Sequence, residues 1–455
     1  MKVCKFGGTS LASAQQIKKV ANIITADTSR RIVVVSAPGK RFDTDIKITD
    51  HLISLADAAL SGNDTSSGFR QIMERYEEII SGLGLESSLL NDIEEDLYNR
   101  LHSSRKDAGL FTDTLKASGE DASAKLVAAY LTATGLSAQY CNPKDAGLLL
   151  NDPPAYPQLL PEAYGRLAAL KDNEAICVFP GFFGFTASGV LRTFNRGGSD
   201  ITGAILAAAV KAELYENFTD VDSVFAANPR VVDQPVSISH MTYREMRELS
   251  YAGFAVLHDE ALMPAFRAAV PVCIKNTNNP EAPGTMITAE RDFSEQPVTG
   301  ISADSGFSTL YVSKYLMNRE IGFGRKLLQI LEEEQISYEH APSGIDDLSV
   351  IIRSHQLKPG QDARIVERVK TELAADDVHF RHDFSMVVLV GEGMRHTTGL
   401  TARAAAAIAR TGANIEMINQ GSSEVSLVFG ILKHDETRVL RELYQEFFAP
   451  VYAEL

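Results

Sequence analysis

The chain begins with MKVCKFGGTS (residues 1–10), in which a short apolar run ends in a lysine, two glycines and two hydroxyl side chains. A strand, a glycine turn and a helix opening at Ser10 to Ser13 would bring backbone N–H groups and a helix dipole to one point. That combination is a physical anion site. Lys5 adds a mobile positive charge at the end of the strand. The alternative is an edge strand with a tight turn, because glycine turns before helices are common.

Composition narrows the class of protein. At 455 residues the chain is too long for one ordinary core, and about three domains are expected. The formal net charge of −15 argues against a nucleic-acid partner, because such proteins normally show a basic face. No apolar run approaches the roughly 20 residues that span a bilayer, and the N-terminus lacks a secretory pattern. We therefore expect a cytoplasmic protein without a membrane segment.

The four cysteines bear on the redox compartment. Cys4, Cys141, Cys177 and Cys273 are far apart and form no CxxC pair. This spacing argues against a disulfide framework or a zinc cluster, and it suits a reducing cytosol.

The chain divides near residue 290, after the stretch NNPEAPGT. Residues 1–290 alternate fully apolar strands with helical periodicity, which predicts an α/β domain with a mostly parallel sheet covered by helices. The stretch 62–112 is richer in Glu, Leu and Ser and indicates an inserted helical segment without a chemical motif.

The remainder contains an internal repeat. ISYEHAPSGIDDLSVII and ANIEMINQGSSEVSLVF superpose without gaps at an offset of 77 residues, which puts Glu339 on Glu416 and, upstream, Gly322 on Gly399. Two short units of this kind usually pack together, because one face of each sheet needs covering. The repeat is either a duplicated structural module or a small-ligand sensor at the interface of the pair.

A second glycine turn, NRGGSD, precedes a helix of small residues. Its Arg196 can bind a carboxylate or phosphate in a bidentate fork, which a lysine cannot do. Asp200 can position the Lys5 ammonium or an ion held by phosphates. The alternative is a surface turn with an N-capping Ser or Asp.

The stretch NFTDVDSVFAANPR follows a predicted strand. Thr219, Asp220 and Asp222 lie just past the strand end, where open sheets bind ligands. Phe225 offers a flat apolar face and Arg230 a charge. An acidic loop with a buried aromatic residue is the structural alternative.

Glu120 stands in KASGEDASAKLVAAYL, where it opens a predicted helix. Its position alone favours a residue that complements the helix dipole.

Taken together, these stretches resemble the aspartate kinases of the amino acid kinase family. The resemblance rests on their order: KFGGTS, VVVSAPGK followed by Thr49-Asp50, SGE, GFFG, NRGGSD, TDVDSVFAANPR, VLH and NNPEAPGT. The tail, with VGEGMRHTTGLTAR and INQGSSEVS, resembles the tandem ACT domains of the same enzymes. The implied fold is an amino acid kinase domain over 1–290 followed by two α+β, ferredoxin-like ACT domains at 298–375 and 380–455, with strands exchanged between them.

The resemblance implies transfer of the γ-phosphoryl of ATP, carried with Mg²⁺, to the β-carboxylate of L-aspartate. The product feeds lysine, threonine and methionine synthesis. Lys5 would stabilise the migrating phosphoryl group, and Asp200 would organise that lysine and the metal-bound phosphates. Arg196 would pair with a carboxylate of aspartate and Glu120 with its ammonium. The remaining implied residues are Gly7, Gly8, Thr9 and Ser10 for phosphates; Thr219, Asp220, Asp222, Phe225 and Arg230 for the nucleotide; and Ser36, Thr49, Phe182, Gly197, Gly198 and Ser199 for aspartate.

The resemblance also implies feedback inhibition by an amino acid bound to the first ACT unit. Lysine is the favoured effector and threonine the alternative, because a glutamate can meet any α-ammonium. ACT pairs of this family associate across subunits, so at least a homodimer is expected. The implied effector residues are Met317, Gly322, Phe323, Gly324, Glu339, Ser343, Gly344, Ile345 and Asp346.

Three features depart from the family pattern. Ala255 stands where a lysine is frequent before VLH, and Asp259 stands where a proline is usual. Lys275, Lys40 and Arg41 are the candidates for the missing cation. The loop APGKRFDTDIKITD is long and charged, and Asn228 replaces a common aspartate.

Two rival functions follow from the same residues. One is phosphorylation of another carboxylate, such as N-acetylglutamate, although an acylated amine would not want Glu120 as its partner. The other is a non-enzymatic amino acid sensor, for which Ala255 is the support.

Overall fold

The computed structural model describes residues 1–153, 156–194, 197–254, 260–293, 296–421 and 425–449. The chain forms two compact units. The first unit contains Met1–Val224, Ser237–Arg247 and Val256–Arg291, and the second contains Phe225–Val236, Glu248–Ala255 and Asp292–Leu455.

The elements of the described residues are named in chain order. The strands are β1 (Lys2–Phe6), β2 (Arg30–Val35), β3 (Ala138–Tyr140), β4 (Leu149–Leu150), β5 (Ile176–Pro180), β6 (Phe183–Thr186), β7 (Leu191–Thr193), β8 (Leu214–Thr219), β9 (Val224–Phe225), β10 (Ser237–Ile238), β11 (His240–Thr242), β12 (Val272–Asn276), β13 (Thr285–Thr288), β14 (Gly300–Ser313), β15 (Asp347–Arg353), β16 (Asp377–Val390), β17 (Met417–Gln420) and β18 (Ser426–Leu432). The helices are α1 (Ala14–Ala26), α2 (Ile48–Leu60), α3 (Ser66–Leu83), α4 (Ser88–Leu101), α5 (Ala108–Ala133), α6 (Pro143–Ala146), α7 (Pro161–Leu167), α8 (Gly198–Val210), α9 (Tyr243–Tyr251), α10 (Met263–Arg267), α11 (Phe323–Glu333), α12 (Gln361–Leu373), α13 (Leu400–Arg410) and α14 (Glu436–Phe448).

The first unit is built on the predicted mostly parallel sheet, with the strand order β11-β13-β12-β8-β1-β2-β5-β3. β1 pairs in parallel with β2 and β8, and β8 pairs in parallel with β12, whereas β12 and β13 run antiparallel. Cys4 and Phe6 on β1 are fully buried in a core with residues of α1 to α5, and α8 packs against β1 and β8. Helices therefore cover the central strands, whose residues are mostly buried.

The segment 62–112 is helical, as the sequence predicts. It contains α3, α4 and the first residues of α5, and its apolar side chains belong to the same core as the central strands. α5 continues through the predicted boundary to Ala133, so the segment is packed into the unit and shares a helix with it.

The second unit contains a five-stranded antiparallel sheet in the order β15-β14-β16-β18-β17. The predicted repeat is present, because α11 and α13 begin and end 77 residues apart. Gly322 and Gly399 precede these helices with φ of 79° and 88°, a left-handed conformation that favours glycine. β14 pairs with β16 from Gly300 opposite Val390 to Ser313 opposite Asp377. β14 and β16 therefore join the two copies of the repeat in one sheet.

The cysteines differ from the sequence expectation. Parallel pairing of β3 with β5 brings Cys141 and Cys177 to a Cα–Cα distance of 5.8 Å, where the two are joined as a disulfide. Cys4 and Cys273 are buried free thiols. The expectation failed for this pair because spacing in sequence carries no information about which strands become neighbours.

Among the described residues, no helix has both the length and the apolar composition needed to cross a membrane.

Candidate active site

The glycine turn after β1 lies at the carboxyl ends of neighbouring parallel strands. The N–H of Gly7 donates to the carbonyl of Phe218 on β8 at 3.1 Å, and the N–H of Ser36 donates to the carbonyl of Phe6 at 3.2 Å. The turn continues as a short 3₁₀ turn, and α1 begins only at Ala14. The predicted helix opening at Ser10 to Ser13 is therefore confirmed, because Ser13 is the N-cap of α1 and its side chain accepts from the N–H of Gln16.

Lys5 and Asp200 form a buried ion pair. The Lys5 Nζ lies 2.6 Å from Asp200 Oδ1, and only 9% and 14% of the two side chains are exposed. β1 supplies the lysine, and the first turn of α8, which begins after Gly197 with φ of 74°, supplies the aspartate. The fold thus brings Lys5 and Asp200 together, as the sequence predicts, and the Lys5 ammonium lies beside the glycine turn.

The loop after β2 closes over the glycine turn. Gly39 donates its N–H to the carbonyl of Gly8 at 2.8 Å, and a Cβ on Gly39 would lie 2.5 Å from the carbonyl carbon of Gly8. Arg75 of α3, only 5% exposed, anchors the same loop by binding Asp45 at 2.7 Å. The charged loop therefore has a fixed path, and the helical segment contributes to the site through Arg75.

Glu120 is not at a helix start. It lies in the middle of α5, it is 5% exposed, and its Oε2 has no hydrogen-bond partner. Burial raises the pKa of Glu120 to about 8, while a backbone hydrogen bond from Ala37 opposes that shift. The dipole interpretation is therefore wrong. A buried carboxylate oxygen without a hydrogen-bond partner is a candidate for binding a polar ligand.

Gly119 explains how α5 comes so close to the loop after β2. A Cβ at this position would lie 2.8 Å from the Cβ of Ala37, and the Gly119 carbonyl accepts a hydrogen bond from the Tyr76 hydroxyl at 3.2 Å. A larger residue would push α5 away and separate Glu120 from Ala37.

Three of the other residues predicted for aspartate, Phe182, Gly198 and Ser199, lie together at the start of α8. Phe182 has a φ of 77°, a strained conformation for a residue with a Cβ, and its N–H donates to Thr202 on α8 at 3.1 Å. A Cβ on Gly198 would lie 2.6 Å from the Phe182 ring, and one on Gly181 would lie 2.6 Å from Ser199. Thr49 is half-buried in the first turn of α2. Arg196 lies outside the described residues.

The residues predicted for the nucleotide follow β8. Thr219 accepts at its carbonyl from the N–H of Thr277 at 2.9 Å, and Asp222 accepts from Asn276 at 2.7 Å. Asp220 is exposed and accepts from the Thr219 hydroxyl at 3.2 Å. The loops after β8 and β12 are therefore joined beside the glycine turn. Phe225, half-buried on β9, and Arg230, exposed in a turn, belong to the second unit.

Of the hydroxyls in the turn, that of Ser10 is within hydrogen-bond distance of Thr277 Oγ1, at 2.7 Å, whereas Thr9 is exposed.

The candidates for the missing cation separate into three situations. Arg41 is engaged with Asp45 and Glu78. Lys275 is paired in register with Phe218, and Lys5 is paired with Asn217. Because side chains alternate along a strand, Lys275 lies on the sheet face opposite to Lys5. Lys40 is exposed, and its Nζ donates to the carbonyl of Asp43 at 3.1 Å. Of the three candidates, Lys40, which follows Gly39, is therefore the one whose charge is most available to a ligand. Ala255 and Asp259 lie outside the described residues.

Several of the residues predicted for the effector lie in two loops of the second unit, one before α11 and one before β15, that are hydrogen-bonded to each other. The Leu316 N–H donates to Asp346 Oδ1 at 2.8 Å, and the Asn318 N–H donates to the Ile345 carbonyl at 3.1 Å.

Individual effector candidates differ in what they offer. Met317 and Phe323 are buried in the apolar core of the second unit, and Gly324 lies in the first turn of α11. Glu339 pairs with Arg353 at 3.3 Å. Ser343 and Gly344 line a cavity of about 550 Å³ on one face of the sheet.

Three contributors were missed by sequence reasoning: Asn217, Gly39 and Thr277. Asn217 offered a signal, since an amide in a predicted strand needs a hydrogen-bond partner if it is buried. For Gly39 the sequence shows a Pro-Gly dipeptide, but it does not show that Gly8 becomes the spatial neighbour of Gly39. For Thr277 the sequence shows only that the residue follows a predicted strand.

Comparison with known proteins agrees with the fold. The profile of the Amino acid kinase family matches residues 1–276, and that of an ACT domain matches residues 387–447. The chain belongs to the amino acid kinase family.

Within that family the chain belongs to the aspartokinases. It is 52% identical over 451 residues to aspartokinase 3 of Bacillus subtilis (strain 168), covering 99% of each chain. The crystal structure of Clostridium acetobutylicum aspartate kinase superposes with a TM-score of 0.86 at 35% identity, covering 98% of this chain and 100% of that one. Aspartokinase III of Escherichia coli, crystallised with lysine and aspartate, gives a TM-score of 0.76 at 25% identity, covering 98% and 99%.

Proposed function

We propose that the protein transfers the γ-phosphoryl group of ATP to the β-carboxylate of L-aspartate. A carboxylate oxygen forms a bond to the γ-phosphorus, the bond from that phosphorus to the β,γ-bridging oxygen breaks, and ADP and 4-phospho-L-aspartate leave. The observation that carries this proposal is the Lys5–Asp200 pair beside the glycine turn. Phosphoryl transfer needs mainly positioning and charge neutralisation at the phosphate oxygens, which a held cation supplies.

ATP is the phosphoryl donor and enters as its Mg²⁺ complex. Gly7, Gly8, Thr9 and Ser10 receive its phosphates, and the joined loops after β8 and β12 receive the nucleoside. In the described ranges, no group of three His, Cys, Asp or Glu side chains is placed to hold a metal ion.

Aspartate binds between α5 and the start of α8. The unpartnered oxygen of Glu120 accepts from the substrate ammonium, and Arg196 pairs with a substrate carboxylate. Ser36, Thr49, Phe182, Gly197, Gly198 and Ser199 complete the pocket. Glu120 also speaks against N-acetylglutamate as substrate, because an acylated nitrogen carries no charge to offset a buried carboxylate.

The second unit serves as the regulatory part, with ACT domains at 298–375 and 380–455 after a kinase domain at 1–290. Lysine is the proposed inhibitor, with threonine as the alternative. The protein acts in the cytoplasm as a homodimer. Support for the dimer comes from Tyr315, Leu316, Ile321 and Ile345, which are 74%, 42%, 95% and 70% exposed in the two bonded effector loops.

The proposal is tested by ADP release from MgATP with L-aspartate or N-acetyl-L-glutamate as acceptor. We expect release with aspartate only, and a loss of at least about a thousandfold in kcat for Lys5→Ala, because a transition-state cation is removed. Lys18→Ala is the matched control, since its Nζ bonds the carbonyl of Gly82 on the surface. Lysine binding without aspartate-dependent release would overturn the proposal in favour of a sensor.

A further inference from the structure

Asn217 is a buried amide in contact with both charged residues of the proposed reaction centre. Its side chain is 1% exposed. Asn217 Oδ1 accepts from Lys5 Nζ at 3.4 Å, and Asn217 Nδ2 donates to Asp200 Oδ1 at 2.7 Å. With the Lys5–Asp200 contact of 2.6 Å, the three side chains form a closed ring of polar contacts.

The chemistry of the amide fits this ring in one orientation only. The ammonium of Lys5 has donors and no acceptor, whereas the carboxylate of Asp200 has acceptors and no donor. Asn217 presents oxygen to the first and nitrogen to the second, and the reversed amide would oppose both partners. An amide also adds no net charge to the pair.

The position of Asn217 in β8 is a second indication that its amide is present for the hydrogen bonds that it makes. Asn217 pairs in register with Ile274 on one side, so that an apolar residue flanks it on the same sheet face as Lys5. A buried amide costs free energy unless it is hydrogen-bonded, and an apolar residue would fill such a position without that cost. Its partners are therefore the functional pair rather than the general core.

We propose that Asn217 is a positioning residue that holds the Lys5 ammonium between Asp200 and the glycine turn. Without it, Lys5 would keep its counterion but lose the contact that fixes its direction, because a lysine side chain has four rotatable bonds. A Cβ on Gly7 would lie 3.5 Å from Lys5 Nζ, so the ammonium already lies against the turn. This inference rests on the proposed function.

The first test compares Asn217→Leu with the unmodified protein, using MgATP and aspartate. We expect kcat to fall about tenfold to a hundredfold, which corresponds to one hydrogen bond to a charged group, while the KM for ATP changes less than about threefold. We expect kcat to change more than KM because the position of the Lys5 ammonium matters most in the transition state, when charge develops on the transferring phosphoryl group.

Asn217→Asp gives a readout that a merely structural role would not produce. At pH 8 the variant adds a second carboxylate beside Asp200, holds Lys5 more tightly and slows transfer. Once protonated, the new carboxyl again donates to Asp200 and accepts from Lys5, as the amide does. The charged and hydroxyl groups facing it are Lys5, Asp200 and Tyr215, whose hydroxyl donates to the Asp200 carbonyl at 3.1 Å. We expect the ratio of its kcat to that of the unmodified protein to rise as pH falls from 8.5 to 6.

Glu216→Gln is the matched control for stability. Glu216 is the preceding residue of β8, is 3% exposed and binds Arg30 at 2.6 Å on the opposite sheet face. We expect it to lower the Tm as much as the Asn217 variants or more, and to leave kcat within about twofold of the unmodified value.

Three outcomes separate the possibilities. A fall in kcat for Asn217→Leu with a pH-dependent ratio for Asn217→Asp supports the positioning role. A kcat for Asn217→Leu within threefold of the unmodified enzyme, or a ratio for Asn217→Asp that does not change with pH, overturns it while leaving the proposed function intact. No aspartate-dependent turnover by the unmodified protein overturns both.

Discussion

Glu120 combines two properties that rarely occur together in a stable protein. It is buried inside α5, and one of its carboxylate oxygens has no partner. Desolvation raises its pKa to about 8, so at neutral pH the side chain holds a proton in the absence of substrate. A bound ammonium would favour the ionised form, and binding of aspartate would then release that proton.

We therefore predict that the KM for aspartate falls as pH rises from 6 to about 8 and levels off above it, with a slope of at most about tenfold per pH unit for one proton. The sign follows because below its folded pKa the carboxyl must lose a proton before it can pair with the ammonium. Steady-state kinetics across this range measure the effect, and Glu120→Gln should abolish the slope.

Asp121→Asn is the control for this pH dependence. Asp121 is 4% exposed but already pairs with Arg100 at 3.2 Å and Lys125 at 2.9 Å. Its removal should destabilise the fold and retain the slope. A slope that persists in Glu120→Gln, or vanishes in Asp121→Asn, would contradict the assignment of Glu120.

The turn after β1 and the loop after β2 act together at the scale of elements. They are in backbone contact through Gly8 and Gly39, and Arg75 fixes the far side of the loop through Asp45. The site is thus formed where two strand ends and one helix start meet, and small residues allow their close approach.

Gly39→Ala is predicted to disturb this contact. Its Cβ would meet backbone atoms of Gly8, which cannot rotate away, so we expect a cost of about 1–3 kcal/mol in unfolding free energy and about a tenfold loss in kcat/KM for ATP. Denaturant unfolding and initial rates measure the two effects. Gly165→Ala in α7 is the control, since nothing lies within 4 Å of its Cβ position and alanine favours a helix. Equal behaviour of both variants would contradict the close packing of turn and loop.

How far the sequence predicts these elements depends on whether the information is local. Strand and glycine turn are encoded within residues 1–10, and the 77-residue repeat gives the positions of α11 and α13 because both copies carry the same spacing. The start of α5 was not predictable from KASGED, since Glu120 resembles a helix-start residue until the upstream packing of α5 is known. Asn217 and the Cys141–Cys177 disulfide depend on strand pairing, which no local pattern specifies.

At the scale of the molecule, the second unit presents two surfaces that a monomer would leave exposed. The bonded effector loops carry four exposed apolar side chains, and one sheet face bears a cavity of about 550 Å³. Association of two copies would remove apolar surface of this kind from water.

We predict that Ile321→Asp, which changes a side chain that is 95% exposed, shifts the protein from dimer towards monomer in sedimentation velocity and weakens inhibition by lysine. Tyr156→Asp changes a side chain that is 77% exposed in the first unit and should alter neither property. An unchanged sedimentation coefficient for Ile321→Asp would contradict a dimer formed through the effector loops.

The most direct test of the central claim is ³¹P NMR of a reaction containing the protein, MgATP and L-aspartate, recorded with and without added lysine. We expect an acyl phosphate resonance that grows with ADP, disappears with Lys5→Ala and is suppressed by lysine. Hydroxylamine traps an acyl phosphate as a hydroxamate. If ADP and inorganic phosphate are the only products, even with hydroxylamine present, the proposed phosphorylation of aspartate is contradicted.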